Sequence, residues 1–543
     1  MSKRHWWYLD PGGSLLGLAL AVASVTPSLL PRPALLQGAV AAVAFGLGYL
    51  VGVGVWAVLS RLVPRRPRRE TQRLLWIGYA GLWLLALSAM SVLAVEWQNK
   101  VRRLVEMGPL DGAAFVQFVG GFVPLTVGLL AIGKGTRRVQ QALAGRTGQL
   151  IGTLGTLALL VALLAGLMLA AVSVVNAIYA DRNAHPDAGL TQPDSAYRSA
   201  GPSSSIAWHT LGRHGADFVA GGPSAAQIKT VTGSDAIEPV RVYAGLASAS
   251  TSGERARLVV EELERTGGFT RKVLVVATTT GSGWLEPQTV DAIEYLHAGD
   301  TAIASMQYAY TPSWVSFLFE PNVPVEAATT LFEAVHNRWS QLPADRRPLL
   351  VTYGLSLGAH GSQAVFADVA DIRDRTGGAM FVGSPNGSPL WRSLQAARDA
   401  GSPAWQPVLD DGREVRWMSQ PGDASRIGAE WTTPRVLYLQ HATDPVTWLG
   451  PELLWRSPDW LEPGQRAADV SPSMRWIPVV TGVQVAIDML MGESVPARHG
   501  HNYGDVVTAG WRAVTGDANL TPESLAQITR TIEQYADLRP FAD

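Results

Sequence analysis

Five stretches of this chain contain no charged residue: 11–31, 33–60, 74–95, 112–133 and 147–180. Leu, Ala, Val and Gly dominate each of them. A helix needs about 20 apolar residues to cross the hydrocarbon core of a bilayer. Runs of this length predict an all-α bundle of five membrane-spanning helices over residues 1–180. Four is the alternative, because Pro27 and Pro31 crowd the end of the first run. Only 16% of the chain is charged, against roughly 25% in ordinary soluble proteins. That deficit is uneven, so a membrane part is joined to a soluble part. The formal net charge of -1 gives no reason to expect nucleic-acid binding. With no cysteine, disulfides, a thiol nucleophile and Cys-based metal sites are excluded.

Basic residues in short loops set the orientation of such a bundle. The loop after the second run carries Arg61, Arg65, Arg66, Arg68, Arg69 and Arg73, and the loop after the fourth carries Lys134, Arg137, Arg138 and Arg146. The loop after the first holds Arg32 alone, and the loop after the third mixes basic and acidic residues. Lys3 and Arg4 add a basic N-terminus. The cytoplasmic membrane is the expected location, with everything after residue 180 on its outer face. If the first run is instead a cleaved signal peptide, with Ala21-Val22-Ala23 as the small-x-small site, the C-terminal part still ends outside.

Residues 181–235 are rich in Ser, Gly, Pro, Asp and Ala and read as a linker or domain entry. From 236 to 543 the pattern alternates. Short β-branched runs (241–245, 272–277, 301–308, 349–353, 379–382 and 436–440) are separated by helical stretches. Continuous apolar strands between helices predict an α/β domain with a mostly parallel sheet covered on both faces. Ligands of such sheets bind at the carboxyl ends of the strands.

Gly354-Leu355-Ser356-Leu357-Gly358 has the G-x-S-x-G form and lies between a strand and a helical stretch. A serine displayed on so tight a turn needs Gly354 and Gly358 beside it, because larger side chains would collide. A serine nucleophile also needs a base, and the base an orienting carboxylate, in the chain order Ser, acid, His. Of ten histidines, His499 and His501 lie farthest along the chain, well past the last strand. His501, flanked by Gly500 and followed by a helical stretch, is the predicted base, with His499 the alternative. Asp444 lies just past the 436–440 strand, where an acid can reach that histidine. The predicted oxyanion donors are the amide of Leu357 and, from the loop 278–284, that of Thr280 or Gly281. Trp448, Trp455, Trp460 and Trp476 follow Asp444 and suit an acyl cleft, a membrane interface or a core. No metal site and no cofactor is expected.

The chain resembles bacterial membrane-anchored α/β-hydrolases, of a kind common in actinobacteria, that carry an N-terminal multi-span domain. The resemblance covers nearly the whole chain. It rests on Pro27-Ser28-Leu29-Leu30-Pro31-Arg32-Pro33, Thr279-Thr280-Gly281-Ser282-Gly283-Trp284, and Met306-Gln307-Tyr308 leading to Pro312-Ser313-Trp314. Further matches are the Ser356-Leu357-Gly358 elbow, Ser457-Pro458-Asp459-Trp460-Leu461 and Gly500-His501-Asn502-Tyr503. It implies an α/β-hydrolase fold and esterase-type activity. Leu355 departs from the family pattern, which has an acidic residue there; the nucleophile is untouched and the pocket wall is altered. The expectation is a serine hydrolase of carboxylic esters, lipid-like ones above all, beside the bilayer. An acyltransferase with the same triad, or a membrane binding or lipid-handling protein with a degenerate site, are the alternatives.

Overall fold

The computed structural model describes residues 9–62, 69–516 and 520–538. Lys3, Arg4, Arg65, Arg66 and Arg68, on which part of the orientation argument falls, lie outside the described residues. The chain divides into two compact units. One holds 1–171, 451–461 and 468–491; the other holds 172–450, 462–467 and 492–543.

The first unit begins with α1 (Pro11–Ser24), α2 (Ala34–Leu62), α3 (Arg69–Leu104) and α4 (Ala114–Thr147), and α5 (Gln149–Ala184) starts within it. Among the described residues four helices are long and apolar enough to cross a membrane, over Ala34–Leu59, Ile77–Leu104, Ala114–Arg146 and Ile151–Ala184. The fifth predicted span is not among them. Residues 11–31 form only the 14-residue α1 and then an irregular loop through Pro27 and Pro31. At 1.5 Å per residue α1 is about 21 Å long, well short of the roughly 30 Å core. Counting uncharged residues overestimated the helix because Pro27 and Pro31 end it early. Small residues let the helices approach closely. A Cβ on Gly38 of α2 would run into the Phe118 carbonyl of α4, and one on Gly121 of α4 into the Leu35 carbonyl of α2. Large side chains such as Leu84, Val116 and Leu169 are exposed on the outside of these helices.

The second unit is built on a seven-stranded parallel sheet in the order β1-β3-β2-β4-β5-β7-β6. The strands are β1 (Val240–Ala244), β2 (Val273–Thr278), β3 (Thr301–Met306), β4 (Leu349–Leu355), β5 (Gly378–Val382), β6 (Val415–Met418) and β7 (Arg435–Leu439). Helices intervene between the strands, and the strand residues are almost all buried, as continuous apolar runs require of a sheet covered on both faces. Six strands match the sequence reading. The seventh, β6, escaped it because Arg416 interrupts a four-residue run; in place, the guanidinium is buried and donates to the carbonyls of Gly412 at 2.7 Å and Ala429 at 2.6 Å.

Residues 181–235 hold more structure than their composition suggests. They include the helices Gly212–Ala220 and Ala225–Thr232. Arg198 forms a bridge to Arg241 of β1, and Glu262 accepts hydrogen bonds from Ser204 at 2.8 Å and the Ser205 amide at 3.1 Å. Beside them Arg241 is buried, its Nε donating to Glu294 Oε1 at 2.8 Å and a second nitrogen to Glu294 Oε2 at 2.7 Å, with Asp291 as a further partner. The aromatic face of Phe218 lies 4.9 Å from that guanidinium.

Candidate active site

Parallel register brings three strand ends level. Leu355 of β4 pairs with Val382 of β5, and Val382 with Leu439 of β7. One residue further, the Ser356 amide donates to the Val382 carbonyl at 2.8 Å and the Gly383 amide to the Leu439 carbonyl at 2.9 Å. Ser356 therefore leaves the sheet directly beside Gly383, and the helix Leu357–Gln363 begins at the next residue. The turn holds Ser356 at φ 54 and ψ -121, outside the ordinary regions for a residue with a side chain. Such a conformation costs on the order of 1–3 kcal/mol and persists only where surrounding structure imposes it. Gly354 and Gly358 allow it: a Cβ on Gly354 would strike the Gly358 backbone, and one on Gly358 the carbonyls of Thr278 and Thr279. As the first residue of its helix, Leu357 has an amide with no acceptor within that helix.

Asp444 caps the short helix Pro445–Trp448 that follows β7, its Oδ1 accepting from the Val446 amide at 2.8 Å. Its other oxygen lies 2.8 Å from His501 Nδ1 and accepts from the Tyr503 hydroxyl at 2.7 Å. Both His501 and Asp444 are buried. Burial opposes charge on Asp444, but the charge and hydrogen bond of His501, with those of Tyr503 and Val446, outweigh it and hold the carboxyl below its usual range. Burial likewise lowers the His501 pKa, and the charge and hydrogen bond of Asp444 reverse this to leave it above 6.5. The two shifts agree: this is a pair that favours imidazolium beside carboxylate. With Nδ1 directed at the acid, Nε2 of His501 is buried and has no hydrogen-bond partner among the described residues.

Of the two candidate histidines, it is the His501 ring that meets Asp444. His499 is buried in the same loop, where its carbonyl accepts from the Asn502 amide at 3.2 Å. The His501 ring sits against Gly383, where a Cβ would collide with Cε1. Gly383 thus links the histidine to the serine turn, through the β5 residue whose carbonyl holds the Ser356 amide. His501 and Leu355 also line one small cavity with Trp284, Glu286, Glu493 and Tyr503. Burial raises the Glu286 pKa to about 7 against hydrogen bonds from Thr289 and Gln288, whose amides its carboxylate caps.

The loop after β2 approaches the same turn from the other side, since Thr278 and Thr279 carbonyls pack on Gly358. Within it the Thr280 amide donates to the Trp284 carbonyl at 3.0 Å, and the Gly281 amide to Ser313 Oγ at 3.1 Å. The Thr280 amide is therefore engaged inside its own loop. Gly281 donates to a hydroxyl, which a stronger acceptor can replace.

Three residues with a place in this arrangement carried no role in the sequence reading. Tyr503 and Ser313 were noted only as parts of motifs, and Gly383 follows an unremarkable strand. The tryptophans divide: Trp448 and Trp460 are buried, whereas Trp455 is 64% exposed. Among the described residues no group of three or more His, Asp and Glu is placed to hold a metal ion.

Comparison with protein families gives a match to the alpha/beta-hydrolase family over residues 240–528. The chain belongs to the alpha/beta-hydrolase family. A second match, to the N-terminal region of an alpha/beta-hydrolase family, covers residues 25–223. Comparison with curated proteins and with solved structures returns no match. The parallel strand order found here puts the β4 turn, the end of β7 and the loop after β2 at the carboxyl end of the sheet, where ligands of open parallel sheets bind.

Proposed function

We propose that this chain is a membrane-anchored serine hydrolase that cleaves carboxylic esters, lipid-like acyl esters above all, on the outer face of the cytoplasmic membrane. The observation that carries the reading is the 2.8 Å pairing of His501 Nδ1 with buried Asp444, which leaves Nε2 without a hydrogen-bond partner among the described residues. Ser356 Oγ attacks the ester carbon while His501 Nε2 accepts its proton. Asp444 fixes the tautomer and stabilises the imidazolium. The developing oxyanion meets the Leu357 amide and a donor from the loop after β2, for which Gly281 is better disposed than Thr280. His501 returns the proton to the departing alcohol, leaving an acyl-Ser356 ester. Water activated by the same histidine then releases the acid. An alcohol in place of that water would make the chain an acyltransferase.

Support for a lipid-like ester comes from the four long apolar helices in the same chain and from the apolar Leu355 and Trp284 in the cavity beside His501. A fluorophosphonate probe applied to membranes tests the reaction class. Covalent labelling of the intact chain that disappears in Ser356→Ala is the expected result; an unlabelled wild-type chain would count for a binding protein with a degenerate site.

A further inference from the structure

A helix in contact with water turns its polar residues outward. The helix Val480–Asp488, in the first unit, does the reverse. Thr481, Gln484 and Asp488 are buried, at spacings of three and four that place them on one face. The exposed positions between Trp476 and Met491 are Pro478, Val479, Val483, Ala486 and Leu490, all apolar. Asp488 is the only charged residue in that stretch.

Its charge is fully met inside the unit. Arg32 Nε donates to Asp488 Oδ1 at 2.8 Å, the Leu29 amide donates to Oδ2 at 3.0 Å, and the Ser28 hydroxyl is a further donor. The same guanidinium reaches the Gln484 carbonyl and Gln37 Oε1, each at 3.0 Å. Gln484 Nε2 donates to the Thr26 carbonyl at 2.9 Å. The loop between α1 and α2, including Pro27–Pro33, thus meets Gln484 and Asp488, while the Thr481 hydroxyl accepts from the Ile477 amide at 2.8 Å. Leu454 and Trp455, in the turn that packs on Gly482, extend the exposed apolar surface.

We propose that Trp476–Met491, together with Leu454 and Trp455, is embedded among the acyl chains of the bilayer that α2–α5 would cross. Polar groups inside and apolar groups outside are stable where the surroundings are hydrocarbon and every polar group has an internal partner. The apolar helix Val480–Met491 spans about 18 Å at 1.5 Å per residue, so it dips into one leaflet without crossing. The α1 helix, also too short to cross, packs against it. Arg32 and Asp488 act here as a positioning clamp that keeps the embedded helix on the bundle. In sequence the segment lies between Asp444 and His501. Its last residue, Met491, is followed by Gly492, whose carbonyl holds the His501 amide at 2.7 Å.

The native absence of cysteine makes the test direct. Val483→Cys and Leu490→Cys are labelled with the fluorophore NBD in nanodiscs containing doxyl-phosphatidylcholine, with Asp235→Cys, 96% exposed, as the reference. Probes at 483 and 490 should lose emission to doxyl lipid and be untouched by iodide, and the probe at 235 should behave oppositely. Iodide quenching at 483 and 490 equal to that at 235 would overturn the proposal. So would protection from both quenchers, which would mean a protein partner covers the face. The same labelled chains carrying Ser356→Ala should give the same quenching, so failure of the hydrolase reading and failure of this one are told apart.

Discussion

At the scale of single residues, the proposed chemistry turns on how His501 holds a proton. Its pKa is lowered by burial and raised more strongly by Asp444, ending above 6.5. The base must be neutral to accept the Ser356 proton, so kcat/KM for a soluble p-nitrophenyl ester should rise with pH and level off above an inflection higher than 6.5. Asp444→Asn removes the raising charge, so the inflection should move to lower pH and the plateau should fall by up to about 10⁴-fold. An inflection that stays in place would remove His501 as the group observed. Tyr503 donates to the same carboxylate oxygen that His501 meets. Tyr503→Phe deletes a hydrogen bond to a charged, buried oxygen, worth about 1.5–3 kcal/mol. A lower unfolding midpoint with His501 titrating nearly as before is expected, and an unchanged midpoint would mean that this contact is not maintained. Asp444 and His501, whose side chains the structure pairs, were picked out by a chain order that belongs to the α/β-hydrolase fold. Tyr503 was not, because no order or spacing marks a tyrosine that merely holds an acid.

At the scale of elements, strands were legible wherever apolar runs were continuous, as in Val273–Thr278, and illegible where a buried Arg416 broke the run. The close approach of β5 to the histidine loop was equally invisible, since it depends on a missing side chain. Gly383 has φ +54 and no room for a Cβ beside His501 Cε1. Gly383→Ala should displace the imidazole and abolish fluorophosphonate labelling in a chain that still folds. Gly387→Ala, where a Cβ meets nothing within 4 Å, should label normally. Equal labelling of the two variants would sink the idea that Gly383 makes space for the base. At the other end of the sheet, β1 is fastened through Arg241 to two buried carboxylates. Removing one side of such a cluster leaves uncompensated charge, so Arg241→Ala should lose about 3–5 kcal/mol of stability. Denaturant titration of the detergent-solubilised chain measures this, and a loss under about 1 kcal/mol would place those carboxylates in the neutral form instead.

At the scale of the whole molecule, the sequence reading separated an apolar helical part from a hydrolase part by a single boundary. The first unit also takes in 451–461 and 468–491, because Asp488 finds its partners at Ser28, Leu29 and Arg32, more than 450 residues away in the chain. No local pattern reports a partner at that separation. The shortness of α1 changes the topology argument in a specific way. If α1 does not cross, the first crossing is α2, and orientation rests on the basic residues between α2 and α3 and those from Lys134 to Arg146 at the end of α4. Both clusters favour the cytoplasm. The chain then enters from outside at α2, returns outside after α3, and leaves α5 on the outer face. Four crossings that begin outside and five that begin inside end on the same side, so the orientation proposed for the hydrolase domain survives the loss of one span. Alkaline phosphatase joined after Asp543 should therefore be active in intact cells, and a green fluorescent protein at the same point should stay dark. The reverse pair would place Ser356 in the cytoplasm. It would also mean that the arginines between α2 and α3 lie outside, against the charge rule that oriented them.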